Sequence, residues 1–230
     1  DSITYPLNQN ISIGHKTYRN FKSSFNKNIN YLAIDIDTLD VILTKYIDLY
    51  KPLAIFLKGS VMLGVDFKES DKDIEIYIDA EKIPLKNYKD KENNWDILFL
   101  NKKLMNNIPK LWEIGLLQFL FLKEEHILYR NEKFNFNEFI QKIILMKDDL
   151  LFSLCKKFYE RIKFYSYHKY SKKIYYHLCY LSSLIDNSQV NWNIIKNIKS
   201  YSEAEQDIEY IEKCRIKLLN FYHKKMKEKE

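Results

Sequence analysis

Apolar and polar residues change their rhythm partway along the chain. From Asp37-Thr38 an apolar stripe of Val41, Ile42, Leu43, Tyr46, Ile47 and Leu49 predicts a helix running to about Tyr50, stopped by Pro52. Leu53-Ala54-Ile55-Phe56-Leu57 is a short continuous apolar run that ends at Lys58-Gly59-Ser60, the pattern of a buried strand entering a tight turn. Asp73-Ile74-Glu75-Ile76-Tyr77-Ile78 then alternates strictly, and Trp95-Asp96-Ile97-Leu98-Phe99-Leu100 predicts a third strand. Residues 109–123 read as a helix with Pro109 in its first turn, and residues 125–129 as a short closing strand. After the polar segment 130–135 the period becomes helical, over about 137–165, 168–186, 191–199 and 202–227. Residues 1–30 are polar and Asn-rich, read as loop with one short helix at most. These elements predict an α+β chain with a boundary near 135, a strand-containing half over 1–135 and a helical half over 136–230.

Composition narrows the class. Of 230 residues, 46% are hydrophobic and 30% charged, which suits a globular chain with a sizeable core. Only 4 Gly and 4 Pro occur, too few for a turn-rich all-β fold. The longest apolar runs are too short to span a bilayer, so no membrane partner is expected. The 3 cysteines, Cys155, Cys179 and Cys214, are odd in number and widely spaced, which argues against a disulfide framework or zinc site and makes the cytoplasm the default compartment.

Charge separates the halves. Residues 1–135 carry 19 basic and 19 acidic residues, whereas 136–230 carry 18 and 12, so the whole net charge of +6 sits in the helical half. Lys156, Lys157, Arg161, Lys163, Lys169, Lys172 and Lys173 are interleaved there with Tyr159, Tyr165, Tyr167 and Tyr170. Such a surface suits phosphates and stacked bases, and equally suits a solvated helix pair with tyrosines in its core.

The candidate chemistry lies between residues 53 and 96. Two of the four glycines, Gly59 and Gly64, fall in one loop, which points to a close approach of backbone there. Asp71, Asp73 and Glu75 share one strand face with oxygens about 7 Å apart along the strand, and Asp96 interrupts the next strand. A cluster of hard oxygen donors favours Mg²⁺ or Mn²⁺, and a Gly-Ser turn offers N–H groups and a hydroxyl to phosphates. An alternating strand by itself would read as an edge strand with a solvated acidic face.

Leu57-Lys58-Gly59-Ser60, twelve residues, then Asp73-Ile74-Glu75-Ile76 resembles the signature of the nucleotidyltransferase superfamily with the DNA-polymerase-β palm. Gly59, Ser60 and Gly64, followed by Ser70-Asp71, are more narrowly similar to the minimal and antibiotic nucleotidyltransferases. The resemblance covers residues 38–130. It implies a polymerase-β-like palm followed by an α-helical domain. It implies transfer of an NMP from an NTP, ATP among them, to a hydroxyl of a small-molecule acceptor, with release of pyrophosphate. The alternative acceptor is RNA, such as a tRNA end, or a partner protein in a toxin–antitoxin system. The resemblance further implies Mg²⁺ (or Mn²⁺) on Asp73, Asp96 and either Asp71 or Glu75, with Asp73 and Asp96 catalytic, Gly59 and Ser60 at the triphosphate, and a homodimer as one assembly state. Family spacing favours Asp71 with Asp73, and hydrophobicity favours Asp73 with Glu75; Asp73 belongs to both. Relatives often place an Arg between the two glycines, where this chain has Val61-Met62-Leu63, so Lys58 or a base from the helical half is the expected phosphate contact.

Overall fold

The computed structural model describes residues 36–67, 70–81, 90–92, 95–164, 172–199 and 207–230. The expected loop over 1–30 lies outside them, as do Lys169, Tyr165, Tyr167 and Tyr170. The chain is mixed α+β and divides into two compact units, residues 1–111 with 121–139, and residues 112–120 with 140–230. The segment 112–120, read from the sequence as part of the first half, belongs to the second unit.

The first unit is a five-stranded mixed sheet. Its elements are α1 (Ile36–Tyr50), β1 (Ala54–Lys58), a one-turn α2 (Gly59–Leu63), β2 (Lys72–Ile78), β3 (Asp90–Glu92), β4 (Trp95–Asn101) and β5 (Ile127–Arg130). The strand order is β3-β4-β2-β1-β5. β2 lies parallel to β4 and antiparallel to β1, while β5 and β3 pair antiparallel with β1 and β4. β2 is therefore a central strand, and the solvated edge-strand reading fails on topology. Glu75 and Tyr77 are as closed off from solvent as Ile74, Ile76 and Ile78.

Both faces of this sheet are covered. α1 lies against one face, where Tyr46 and Tyr50 meet Phe99 edge-on at 6.1 and 5.0 Å. Its buried residues are Leu39, Ile42, Leu43, Tyr46 and Ile47, the i, i+3, i+4 set. Val41 and Leu49, expected on that stripe, are 65% and 63% exposed; Val41 points about half a turn away from it, and Leu49 lies just past its edge in the last turn of the helix. On the opposite face Phe56 and Tyr77 pack with Phe134 and Phe139. Phe56 stacks on Phe139 at 5.4 Å and Tyr77 meets Phe139 at 4.9 Å. This aromatic group covers one end of the face and leaves the other end to charged residues.

The second unit is helical: α3 (Glu113–Gln118), α4 (Phe136–Lys157, from Ile140 onward), α5 (Tyr159–Lys163), α6 (Lys172–Asp186), α7 (Trp192–Lys199) and α8 (Ile208–Lys227). Two expected helices are broken. Residues 109–123 form a 3-10 turn over Ile108–Lys110, the short α3 and a second 3-10 turn, since Leu111 and Trp112 are extended. Residues 137–165 are interrupted at Phe158, whose ψ of 22° leaves the helical well. Within this unit α6 packs on α7 and α8, and Leu178, Leu181, Ile195, Ile198, Ile211 and Leu218 of these helices are all buried.

No helix among the described residues is long and apolar enough to cross a membrane.

One buried titratable group lies apart from any candidate chemistry. His126 is 4% exposed, and its Nδ1 accepts a hydrogen bond from the Lys123 backbone N–H at 3.0 Å. Burial, then the neighbouring Lys123 charge, lowers its pKa to about 4 from the ordinary 6.5. A proton on Nδ1 would break the bond it accepts. Between those values the unfolded chain binds the proton and the fold does not, so the contribution is complete above about 6.5 and is lost as pH falls toward 4. Acid unfolding followed by circular dichroism is expected to show a loss of about 3 kcal/mol over that window, absent in His126→Gln. An unchanged pH profile in that variant would count against the assignment.

Candidate nucleotidyl-transfer site

The register of three strands assembles the site. Lys58 at the end of β1 lies opposite Asp73 on β2, and Asp73 lies opposite Asp96 on β4. In-register neighbours on adjacent strands share a face, about 5 Å apart. Glu75, two residues along β2, is on that same face. Lys58, Asp73, Glu75 and Asp96 therefore share one face of the sheet, beyond the aromatic group, with all but Asp73 buried.

Each residue has a distinct environment. Asp71 is exposed and precedes β2. Asp73 is half-buried, Asp96 is buried at 3% exposure, and Glu75 is buried at 6%. Gly59 follows β1 with φ 67°, a left-handed conformation that favours glycine. A Cβ there would overlap the Asp73 carboxylate, so the bare backbone of Gly59 is what lets that carboxylate sit against the turn. Ser60 is buried in the first turn of α2, and its carbonyl accepts from the backbone N–H groups of Gly64 and Val65. Gly64 closes α2 in the left-handed region at φ 71°, with open space where a side chain would begin. The two glycines therefore do different things, one making room and one making a turn.

Lys58 departs most from expectation. Its side chain is 1% exposed and its Nζ lies 3.4 Å from Glu75 Oε2. It is thus an internal counter-ion and not a solvent-facing base aimed at phosphate. Burial pushes the Lys58 pKa down, and the Glu75 and Asp73 charges oppose that. Burial pushes the Glu75 pKa up, against the Lys58 charge. The ion pair is close enough for Coulomb attraction, but Oε2 makes no hydrogen bond of good geometry. Nothing in sequence marks a lysine as inward-facing, because lysine is almost never fully buried without a partner. The one available hint was its position directly after the apolar run of β1.

Among the described residues no group of three or more His, Cys, Asp or Glu side chains is gathered closely enough to hold a metal ion. Magnesium does not require such a cage. It commonly binds through one or two carboxylates together with substrate phosphates and water. Asp73 and Asp96, adjacent in register and both hard oxygen donors, fit that mode. Glu75 fits it less well while Lys58 holds it.

The second unit brings together two of the cysteines that looked unrelated in sequence. Cys179 on α6 and Cys214 on α8 interact, and Cys179, with Ser182, holds the Cys214 thiol down to about 7 against the effect of burial. All three cysteines are free and buried.

No family model matches the chain, and no curated protein matches it.

Proposed function

We propose that the charged end of the sheet is the palm of a polymerase-β-like fold and that the chain is a metal-dependent nucleotidyltransferase. The observation that carries this reading is the alignment of Gly59, Asp73 and Asp96 across β1, β2 and β4, with the Asp73 carboxylate seated where a Gly59 side chain would be. Together they set a left-handed backbone turn beside two carboxylates on one face. It is the combination that phosphoryl displacement uses.

In this reading Asp73 and Asp96 hold Mg²⁺ or Mn²⁺, which when bound supplies charge neutralisation for an NTP triphosphate and for the leaving pyrophosphate. The N–H groups of the Gly59-Ser60 turn hold the triphosphate. Asp96 takes the proton of the attacking acceptor hydroxyl, as its in-register place beside Asp73 allows. Lys58 has a positioning role: its ammonium fixes Glu75 and leaves Asp73 as the outward carboxylate of β2. Asp71, exposed ahead of β2, is the remaining candidate for a second donor on that strand.

The acceptor in this reading is a small molecule with a hydroxyl group. The +6 excess of the helical half disfavours a polycationic acceptor and favours RNA as the second reading. The test uses NTPs labelled at the α-phosphate, incubated with a panel of small hydroxyl compounds and, separately, with total tRNA. Metal-dependent transfer of label is expected, reduced at least about 100-fold in Asp96→Asn, which keeps the buried shape and removes the charge. Transfer that persists in Asp96→Asn would overturn the assignment.

A further inference from the structure

The second unit contains a cleft that the transfer reading does not use. It has a volume of about 400 Å³ and lies at the elbow between α4 and α5, with Tyr222 of α8 as its wall. That volume falls within the range of small-ligand sites. The break at Phe158 makes the elbow, and it brings Lys156 and Lys157 from the end of α4 next to Tyr159 and Arg161 of α5.

The lining has two chemistries. Lys156, Lys157 and Arg161 face a single acid, Glu160. Lys157 is 3.7 Å from Glu113 and is partly neutralised by it. Lys156 and Arg161 are exposed, and neither side chain has an ion pair among the described residues. The other chemistry is an aromatic wall. Tyr222 stacks on Phe152 at 5.3 Å and 16°, which fixes its ring from behind. Tyr159 sits 5.2 Å from Tyr222, tilted by 44°, with its hydroxyl 3.5 Å from His223 Nε2. Both tyrosines are half-buried, so part of each ring remains open. Lys163 lies over Tyr159 at 5.7 Å and Lys229 over Phe152 at 4.0 Å, so cations surround the wall.

Two unpaired cations beside a braced, open aromatic surface match a nucleotide unit, whose phosphate needs the former and whose base needs the latter. We propose that this elbow is a binding site for single-stranded RNA, with a base on the Tyr159–Tyr222 wall and the flanking phosphates on Lys156 and Arg161. An open cleft with charge extending past it on Lys163 and Lys229 suits a chain of nucleotides better than one. This rests on the second unit alone and stands or falls separately from the transfer reading.

The test is fluorescence anisotropy of a labelled ten-nucleotide RNA with the full chain, in a salt titration without divalent metal. Lys156→Glu with Arg161→Glu is expected to weaken binding at least about 10-fold, and Lys156→Ala with Arg161→Ala to flatten the log–log salt slope by about 1.4, the value for two phosphates on a single strand. Tyr159→Ala is expected to weaken binding by about 5- to 100-fold. Lys142→Glu with Lys213→Glu makes the same change in net charge at exposed positions outside the cleft, and is expected to change binding less than about 2-fold. Unchanged thermal unfolding of each variant keeps a folding defect from passing as a binding one. No RNA binding by the wild type, equal weakening by the control pair, or equal affinity for a free mononucleotide would each overturn the proposal.

Discussion

Lys58→Met is expected to destabilise the first unit by about 3–5 kcal/mol, the usual cost of removing one partner of a buried ion pair. Lys58 and Glu75 are 1% and 8% exposed at their side chains, so Glu75 would be left charged in a site that solvent does not reach. Its pKa is already raised by burial even with the lysine in place. Without the lysine the fold would hold that carboxyl further above its unfolded value of 4.5, so the penalty applies at neutral pH and fades as pH falls toward 4.5. Denaturant unfolding of Lys58→Met at pH 7.5 and at pH 5 is expected to show the larger loss at the higher pH. The double variant Lys58→Met with Glu75→Leu removes both charges and keeps the volume. It is expected to regain wild-type stability or exceed it, because neither desolvation cost remains. A double variant no more stable than Lys58→Met would mean that the pair is not what couples the two positions.

Gly59→Ala is expected to be strongly damaging for a change of one methyl group. Two costs act together. A left-handed alanine costs about 1–2 kcal/mol, and the new methyl must displace the Asp73 carboxylate. Gly64→Ala separates these costs, since Gly64 has nearly the same φ and nothing within reach of a Cβ. Gly64→Ala is expected to lose only the left-handed cost of about 1–2 kcal/mol and to keep any response to nucleotide. Gly59→Ala is expected to lose more stability and all of that response. Equal losses at the two glycines would show that the close approach of Asp73 to the turn has no energetic consequence.

The comparison of these two glycines shows what was legible in the sequence. That a loop holding half of a chain's glycines brings backbone close to something was readable from scarcity alone. Which glycine does so was not, because the approaching group, Asp73, lies on another strand. The same holds for the sheet. Strands β1, β2 and β4 were visible from apolar runs and alternation, which are local properties. Their order and the parallel pairing of β2 with β4 depend on contacts far apart in sequence. Strand β3, three residues long, carries no periodic signal at all. Lys58 was expected to contact phosphate in place of the Arg that relatives carry, and only the structure shows the carboxylate that permits its burial. Helix α1 was placed correctly, but its face was drawn too wide: Val41 is apolar by type and exposed by angle, and Leu49 is exposed at the edge of the face in the last turn. The break at Phe158 was hidden because apolar and basic residues continue in helical period through it. The elbow it creates is nevertheless where the basic and aromatic residues of the second unit meet.

The central claim is that Asp73 and Asp96, next to the Gly59-Ser60 turn, bind a nucleoside triphosphate with a divalent metal. The most direct measurement is thermal unfolding of the wild type and of Asp73→Ala in the presence of Mg²⁺ with each of the four NTPs in turn. A ligand that binds only the native state raises the unfolding temperature, and at a concentration 100 times its Kd it adds about 2.7 kcal/mol. The account predicts stabilisation by at least one NTP that requires Mg²⁺ and disappears in Asp73→Ala. No shift with any NTP, or a shift that Asp73→Ala retains, would contradict it.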